Sequence, residues 1–188
     1  SRYTARVIKG VEVKQSPSWL AKLLHTVGMN SINNVVDITN FILMDVGQPL
    51  HSFDMDQLKG SMIKVRRAVK GEKIQTIDHT DHELTEAELV ICDGDRPVAV
   101  AGTMGGVESE IIDATKNVLL ESAYFNPTIV RKQAKRLGIG SDSSYRFERG
   151  IDTTTQDEYS KYACAMIQEV AGGKVLKGCV EYTGDDHQ

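Results

Sequence analysis

One carboxylate lies in a sequence context where an ionised side chain is costly. Glu121 stands in the run VLLESAY, residues 118–124, whose other members are mostly apolar or small, as in a buried strand. A carboxylate there needs an ion-pair partner or a pocket that it faces, and functional groups concentrate in such pockets. Ala123 falls on the same side of the strand and leaves room for a ring, although ordinary packing also explains an alanine. Glu121 is therefore a candidate binding group, with a structural ion pair as the alternative.

An amide and an imidazole lie among apolar neighbours between residues 34 and 54. Asn40 shares a predicted helical stripe with apolar residues, and His51 follows in a short extended segment between Leu50 and Phe53. Such groups need partners inside the protein or at a pocket wall. His51 is therefore a candidate general base or oxyanion donor, with a satisfied core imidazole as the alternative.

A glycine-rich loop, GTMGG at residues 102–106, follows the predicted strand 98–101. Glycines let backbone N–H groups approach a ligand closely. The spacing fits neither the lysine-bearing phosphate loop nor the dinucleotide fingerprint, so a small polar group is a better ligand than a nucleotide phosphate. The sequence also lacks a G-x-S-x-G elbow and a protease-type cysteine signature, which disfavours a covalent nucleophile.

Six basic residues cluster after position 127. Four of them fall on one side of a helix predicted to begin at Pro127, and two follow the helix. RNA phosphates are bound by such charges, but a solvated helix face gives the same pattern. The residues are Arg131, Lys132, Lys135, Arg136, Arg146 and Arg149.

The elements that must position these residues are strands and helices in no regular alternation, which predicts an α+β fold. Serine, asparagine and proline mark helix starts, and glycine marks helix ends. Four helices are predicted. The first begins at Ser16–Pro17, the second ends at Gly47, the third runs from Pro127 to Gly138 and the fourth spans Asp152–Ala171. Thr85–Glu88 resembles a capping box. The predicted strands are Arg2–Val13, Ser61–Ala68, Leu89–Cys92, Val98–Ala101, Asn117–Phe125 and Lys174–Tyr182, with a hairpin of 73–77 and 82–84 and a polar tail at 184–188.

Length and composition are those of an ordinary globular protein. The 188 residues suit one domain or two small ones, and a net charge of −4 argues against a surface that coats nucleic acid generally. The odd number of widely spaced cysteines, Cys92, Cys164 and Cys179, predicts reduced, buried thiols. The mixed polar tip at 78–82 is predicted to be a loop and not a metal site. The chain opens directly in a predicted strand, which indicates a segment of a longer protein.

Five segments, in order, resemble the editing module of the bacterial phenylalanyl-tRNA synthetase beta subunit. They are residues 34–54, 64–68, 101–106, 118–125 and 144–150. The resemblance runs from about Arg2 to about Tyr182. Two departures, SDS at 141–143 in place of Thr-Glu-Ala and Thr153 in place of proline, concern a loop and not the predicted pocket.

The resemblance implies a β-sandwich-like core flanked by helices, formed by one editing module over residues 1–188 or by two intertwined subdomains. It implies hydrolysis of the ester in misacylated Tyr-tRNA(Phe). The matching glutamate, Glu121, would bind the phenolic hydroxyl, Ala123 would shape the side-chain pocket, and Gly102 would contact substrate through its backbone. The ester and terminal adenosine would lie beside the predicted catalytic group, His51, Asn40 and Thr39.

The resemblance also implies partners and a cellular setting. The implied partners are the acceptor end of tRNA(Phe) and an alpha subunit in a heterotetramer. The implied location is the cytoplasm. ATP and Mg²⁺ would serve amino-acid activation elsewhere in the parent enzyme, and this chain needs no cofactor or metal. Two alternatives remain open: a non-catalytic RNA-binding module, like the related domain of a lysidine synthetase, and a free-standing aminoacyl-ester hydrolase.

Overall fold

The structure, a computed structural model, describes residues 2–94 and 96–184, without the side chain of Ser61. The predicted polar tail therefore lies almost wholly outside the described residues. The chain divides into two compact units built from interleaved segments. The first unit comprises the described residues up to Asp56, Ile111–Tyr124 and those from Asp152 onward, and the second comprises Gln57–Glu110 and Phe125–Ile151.

The described residues form strands and helices whose order confirms the α+β prediction. The strands are β1 Arg2–Lys9, β2 Leu50–Asp54, β3 Ile63–Arg67, β4 Lys73–Gln75, β5 Asp81–Glu83, β6 Leu89–Asp93, β7 Arg96–Val100, β8 Met104–Gly105, β9 Asn117–Tyr124, β10 Lys174–Val175 and β11 Val180–Thr183. The helices are α1 Ser18–Thr26, α2 Asn34–Val46, α3 Pro127–Leu137, α4 Asp142–Phe147 and α5 Gln156–Ala171. Short 3-10 turns lie at Met55–Gln57, Lys59–Ser61 and Val107–Ser109.

The first unit is built on an antiparallel sheet in the order β10-β1-β9-β2, with β11 also paired to β1. One face of this sheet packs on the helices, because Leu50 and Leu120 join Ile38 in one buried cluster. Successive side chains of a strand point to opposite faces. His51 follows Leu50 and Glu121 follows Leu120, so both side chains project from the opposite face of the sheet.

Helix α2 lies where the sequence predicts it. Its N-cap, Asn33, accepts hydrogen bonds from two backbone N–H groups of the first turn. Gly47 ends the helix in the left-handed conformation, at φ 76°. The buried Asp37 fixes the preceding loop, since its carboxylate accepts hydrogen bonds from Ser16 Oγ, at 2.6 Å, and from Ser31 Oγ.

The second unit contains the four-stranded antiparallel sheet β3-β6-β7-β8 and the β4–β5 hairpin. Helix α3 is joined to this sheet by the buried side chain of Gln133. Its Nε2 donates to the carbonyl of Ala101 at 2.6 Å, and its Oε1 accepts from the N–H of Leu89 at 2.9 Å. Asn126 caps α3 and Gly138 ends it, as predicted from the sequence.

Several predicted boundaries are wrong for local reasons. The first strand ends at Lys9 because Gly10 has φ 75° and its N–H bonds to the carbonyl of Lys116. Ser16 does not cap α1, which begins at Ser18, because its hydroxyl bonds to Asp37. The predicted last strand is interrupted, since Gly178 has φ 95° between β10 and β11.

Three further predictions need correction. The last helix begins at Gln156 and not at Asp152, whose carboxylate caps a turn by accepting hydrogen bonds from Thr154. The 85–88 segment forms a turn and no helix, although Glu88 does accept a hydrogen bond from the N–H of Thr85 at 2.7 Å. Cys179 is exposed, whereas Cys92 and Cys164 are buried as predicted.

Candidate functional site

Strand β9 places Glu121 between two neighbouring strands. Its register partners are His51 on β2 and Ala5 on β1. Tyr3, two residues before Ala5, is the register partner of Ala123. Directly paired residues of antiparallel strands project from the same face, so all five side chains share one face of the sheet.

Three polar atoms on this face are buried and unpaired. Glu121 Oε2, His51 Nε2 and Tyr3 Oη have no hydrogen-bond partner within the described part of the chain. Glu121 as a whole is only 5% exposed, while His51 and Tyr3 are half-buried residues with buried polar tips. Buried polar atoms are normally bonded. Thr4 Oγ1 and Ser122 Oγ, on the other face of β1 and β9, are also unpaired among the described residues, but this face combines a carboxylate, an imidazole and a phenol, which makes it the candidate site for a polar ligand.

Burial shifts the protonation of this group. Burial raises the pKa of Glu121 to about 7, and the nearby Tyr3 hydroxyl offsets part of that rise. Burial lowers the pKa of His51 to about 4. The pKa of Tyr3 is raised, first by burial and then by the Glu121 carboxylate. The Tyr3 hydroxyl thus lies close enough to the Glu121 carboxylate to donate towards it and influence its pKa, although neither Tyr3 Oη nor Glu121 Oε2 has a hydrogen bond of ordinary geometry to a described residue.

The imidazole of His51 is oriented by an aromatic neighbour. Its ring meets the fully buried ring of Phe53 edge to face, with centroids 4.4 Å apart and an interplanar angle of 84°. With its pKa lowered to about 4, His51 is neutral at pH 7 and accepts protons weakly. The lowered pKa favours a role for His51 in holding and orienting a polar group over the removal of a proton.

A buried pair of glutamines supports β9 beside the site. Gln48 Nε2 donates to the carbonyl of Ala123 at 3.1 Å and to that of Pro49 at 2.9 Å. Gln156 on α5 donates to Gln48 Oε1 at 3.2 Å. These bonds tie the backbone at Ala123 to the segment that precedes β2, which fixes the spacing of the two strands that carry the site.

The remaining predicted site residues lie elsewhere in the fold. Thr39 and Asn40 are on α2, which packs on the opposite face of the sheet from His51. The Thr39 hydroxyl donates to the Val36 carbonyl at 2.7 Å, and Asn40 is half-buried on the side of the helix away from Ile38. Their roles stay predictions.

Gly102 belongs to the second unit, where its backbone has φ 66°. A Cβ there would lie 3.0–3.1 Å from the side chains of Phe125, Val130 and Phe147. The position therefore requires glycine for conformation and for packing, and the predicted contact of its backbone with substrate stays a prediction.

The sequence reasoning missed Tyr3. The alternation of Tyr3 with Ala5 is visible in the sequence and predicts that both side chains share a face. The pairing of β1 with β9 is not visible in the sequence. Only that register places the phenol next to Glu121.

The predicted basic cluster divides into paired and unpaired charges. Arg136 bonds to the buried carboxylate of Glu88 with two contacts of 2.5 Å. Arg146 pairs with Asp142, and Arg149 pairs with Glu148. The exposed residues Arg131, Lys132 and Lys135 have no ion pair with any residue that the structure describes.

The described residues hold no group of three or more His, Cys, Asp and Glu side chains arranged for a metal ion. None of their helices combines the length and apolarity that crossing a membrane requires.

Comparison with known proteins identifies the family. Residues 1–172 match the B3/4 domain. The phenylalanine–tRNA ligase beta subunit of Geobacter metallireducens is 52% identical over 180 residues, which is 96% of this chain and 22% of that protein. The Aquifex aeolicus beta subunit is 54% identical over 174 residues, 93% of this chain and 22% of that protein. The chain thus spans about a fifth of these relatives.

A solved structure shares the fold at low sequence identity. It is an N-terminal fragment of the phenylalanyl-tRNA synthetase beta subunit from Pyrococcus horikoshii, with a TM-score of 0.54 and 12% identity over 97% of this chain and 50% of that one. The chain therefore belongs to the B3/4 domain family and is homologous to a segment of bacterial phenylalanine–tRNA ligase beta subunits.

Proposed function

We propose that this chain is the editing module of a phenylalanine–tRNA ligase beta subunit and hydrolyses the ester of tyrosine attached to tRNA(Phe). The observation that carries the proposal is the buried, unpaired Oε2 of Glu121, with the small Ala123 on the same face. The relatives are beta subunits of phenylalanine–tRNA ligases, and their name is the support for tRNA(Phe) as the nucleic acid and for an aromatic amino acid as the attached group.

The selectivity follows from hydrogen-bond satisfaction. A tyrosine side chain donates its phenolic proton to Glu121, whereas phenylalanine leaves the buried carboxylate without a partner. Leaving a buried polar group unpaired costs about 1–3 kcal/mol, which corresponds to roughly 5- to 150-fold in binding. A polar group that recognises the hydroxyl separates these two amino acids far better than an apolar pocket does.

The chemical step needs little from the protein. An aminoacyl ester is activated, so water held at its carbonyl carbon adds, the bond to the ribose oxygen breaks, and the ribose oxygen takes a proton. Orientation of water and stabilisation of the oxyanion supply the rate enhancement. We assign the orientation of water or ester to the neutral imidazole of His51, with Asn40 and Thr39 as further candidates near the adenosine.

The test is deacylation of Tyr-tRNA(Phe) and Phe-tRNA(Phe) by the chain and by its Glu121→Ala variant. We expect the chain to hydrolyse the tyrosyl ester faster and the variant to lose most of that preference. A matched control is Glu169→Ala, which removes an exposed carboxylate on α5 in the same unit. Equal discrimination by Glu121→Ala and the unmodified chain would refute the role of Glu121.

We also propose that the acceptor end of tRNA(Phe) binds along α3. The support is the set of cations that no described acidic residue neutralises: Arg131, Lys132 and Lys135. The same set favours the second candidate function, a non-catalytic RNA-binding module. Tight tRNA binding without acceleration of ester hydrolysis would select that candidate.

The remaining parts of the proposal concern the parent enzyme. An alpha subunit is its partner, ATP and Mg²⁺ serve activation in other regions, and the cytoplasm is its location. Expression of the complete parent gene with a tagged alpha subunit, followed by co-purification, tests the assembly.

A further inference from the structure

Tyr3 and Glu121 form an unusual pair of buried polar groups. The two residues lie on adjacent paired strands and the same sheet face, because Tyr3 pairs with Ala123 and Ala5 pairs with Glu121. Tyr3 Oη and Glu121 Oε2 are both buried, and neither has a hydrogen-bond partner among the described residues. The phenol and the carboxylate interact with each other, but not with ordinary hydrogen-bond geometry, so a third polar group placed beside them can bond to both.

We propose that Tyr3 and Glu121 together bind a single hydroxyl group at the end of the substrate side chain. Glu121 accepts the proton of that hydroxyl, and Tyr3 donates its own proton to the hydroxyl oxygen. The inference rests on the proposed function and adds a second specificity-determining residue to it. A phenol offers one donor and two acceptor lone pairs, so it satisfies both protein groups at once.

The pairing strengthens the discrimination against phenylalanine. A bound phenylalanine offers neither the proton that Glu121 Oε2 accepts nor the lone pair to which Tyr3 Oη donates, so both atoms keep only their contact with each other. The raised pKa of Tyr3 keeps its hydroxyl protonated at neutral pH, as the donor role requires. Because β1 is an inner strand, paired on both sides, Tyr3 is also held in place by the sheet.

The chain provides a matched control. Tyr182 on β11 is the register partner of Tyr3 on the side away from β9, and it is 64% exposed. Removing either hydroxyl is the same chemical change. Tyr3→Phe removes the proposed donor, whereas Tyr182→Phe removes a hydroxyl on the neighbouring strand.

The experiment measures binding of three non-hydrolysable probes by calorimetry. The probes are 3′-amide analogues of aminoacyl-adenosine that carry tyrosine, phenylalanine or 4-aminophenylalanine. We expect Tyr3→Phe to weaken the tyrosyl probe about 3- to 10-fold. The phenylalanyl probe should change less than about twofold, and Tyr182→Phe should leave all three unchanged. The aniline nitrogen donates well and accepts poorly, so Tyr3→Phe should weaken the amino probe less than the tyrosyl probe.

The outcomes separate the two proposals. If the unmodified chain binds the tyrosyl probe no more tightly than the phenylalanyl probe, the proposed function and this inference both fail. A second outcome is that the chain prefers the tyrosyl probe, that Glu121→Ala removes this preference and that Tyr3→Phe keeps it in full. In that case only the role of Tyr3 is overturned. Equal weakening of the tyrosyl and phenylalanyl probes by Tyr3→Phe would show a structural role and would also overturn it.

Discussion

The burial of Glu121 has a consequence for stability that is independent of any substrate. Its pKa is raised to about 7 in the folded chain from 4.5, because burial disfavours the ionised form. Between these two pH values the folded chain binds a proton that the unfolded chain has released. The free energy of unfolding therefore falls as pH rises through this interval.

The perturbation is Glu121→Gln, which keeps the shape and removes the ionisation. At about 1.36 kcal/mol per pKa unit, the rise from 4.5 to about 7 is a cost of about 3 kcal/mol to the folded state once Glu121 is ionised. Most of it, about 2.5 kcal/mol, develops between pH 5 and 8.5. The variant should gain that amount relative to the unmodified chain over the same range.

Urea unfolding at pH 5 and pH 8.5, followed by the fluorescence of Trp19, measures the difference. Trp19 is the single tryptophan and lies on α1 in the unit that holds Glu121. Glu169→Gln, an exposed counterpart, should show no such pH-dependent gain. If the stability difference for Glu121→Gln stays within about 0.5 kcal/mol across the range, the carboxylate is not desolvated, and the reasoning fails.

Three further predictions concern Arg136, Gly102 and His51. Arg136→Ala should lower the free energy of unfolding by about 2 kcal/mol, because the buried Glu88 loses its charge partner. Arg131→Ala should change the free energy of unfolding by less than about 0.5 kcal/mol and should weaken tRNA binding. Chemical denaturation measures the stabilities, and filter binding measures the affinity for tRNA. Gly102→Ala should cost about 2 kcal/mol or more in thermal unfolding, since its φ is positive and its Cβ would crowd three side chains; an unchanged melting temperature would contradict this. The pKa of His51 is lowered from 6.5 to about 4, so His51 contributes stability that is lost as pH falls from about 6.5 towards 4, and His51→Gln should reduce this acid loss in urea titrations.

Local sequence signals predicted the helices that carry caps. Asparagine before Pro127 and glycine at 138 fix both ends of α3, and Gly47 fixes the end of α2, because these residues satisfy the open backbone groups of a helix end. Helix α4 was missed because its six residues are too few to show apolar periodicity. Its start depends instead on a capping box between Ser141 and Ser144.

The candidate site was predicted only in part. The burial of Glu121 follows from its apolar neighbours, and the common face of Glu121 and Ala123 follows from strand periodicity. The adjacency of His51 and Tyr3 to Glu121 depends on long-range pairing, which leaves no local signal in one sequence. The β-sandwich-like core and the behaviour of residues 1–188 as one module stay predictions.

The most direct measurement is the ratio of deacylation rates for Tyr-tRNA(Phe) and Phe-tRNA(Phe), taken for the unmodified chain and for Glu121→Ala. A ratio well above one that collapses towards one in the variant is the expected result. A ratio near one in the unmodified chain, or one that the variant leaves untouched, would contradict the assignment of Glu121 as the group that recognises the misattached side chain.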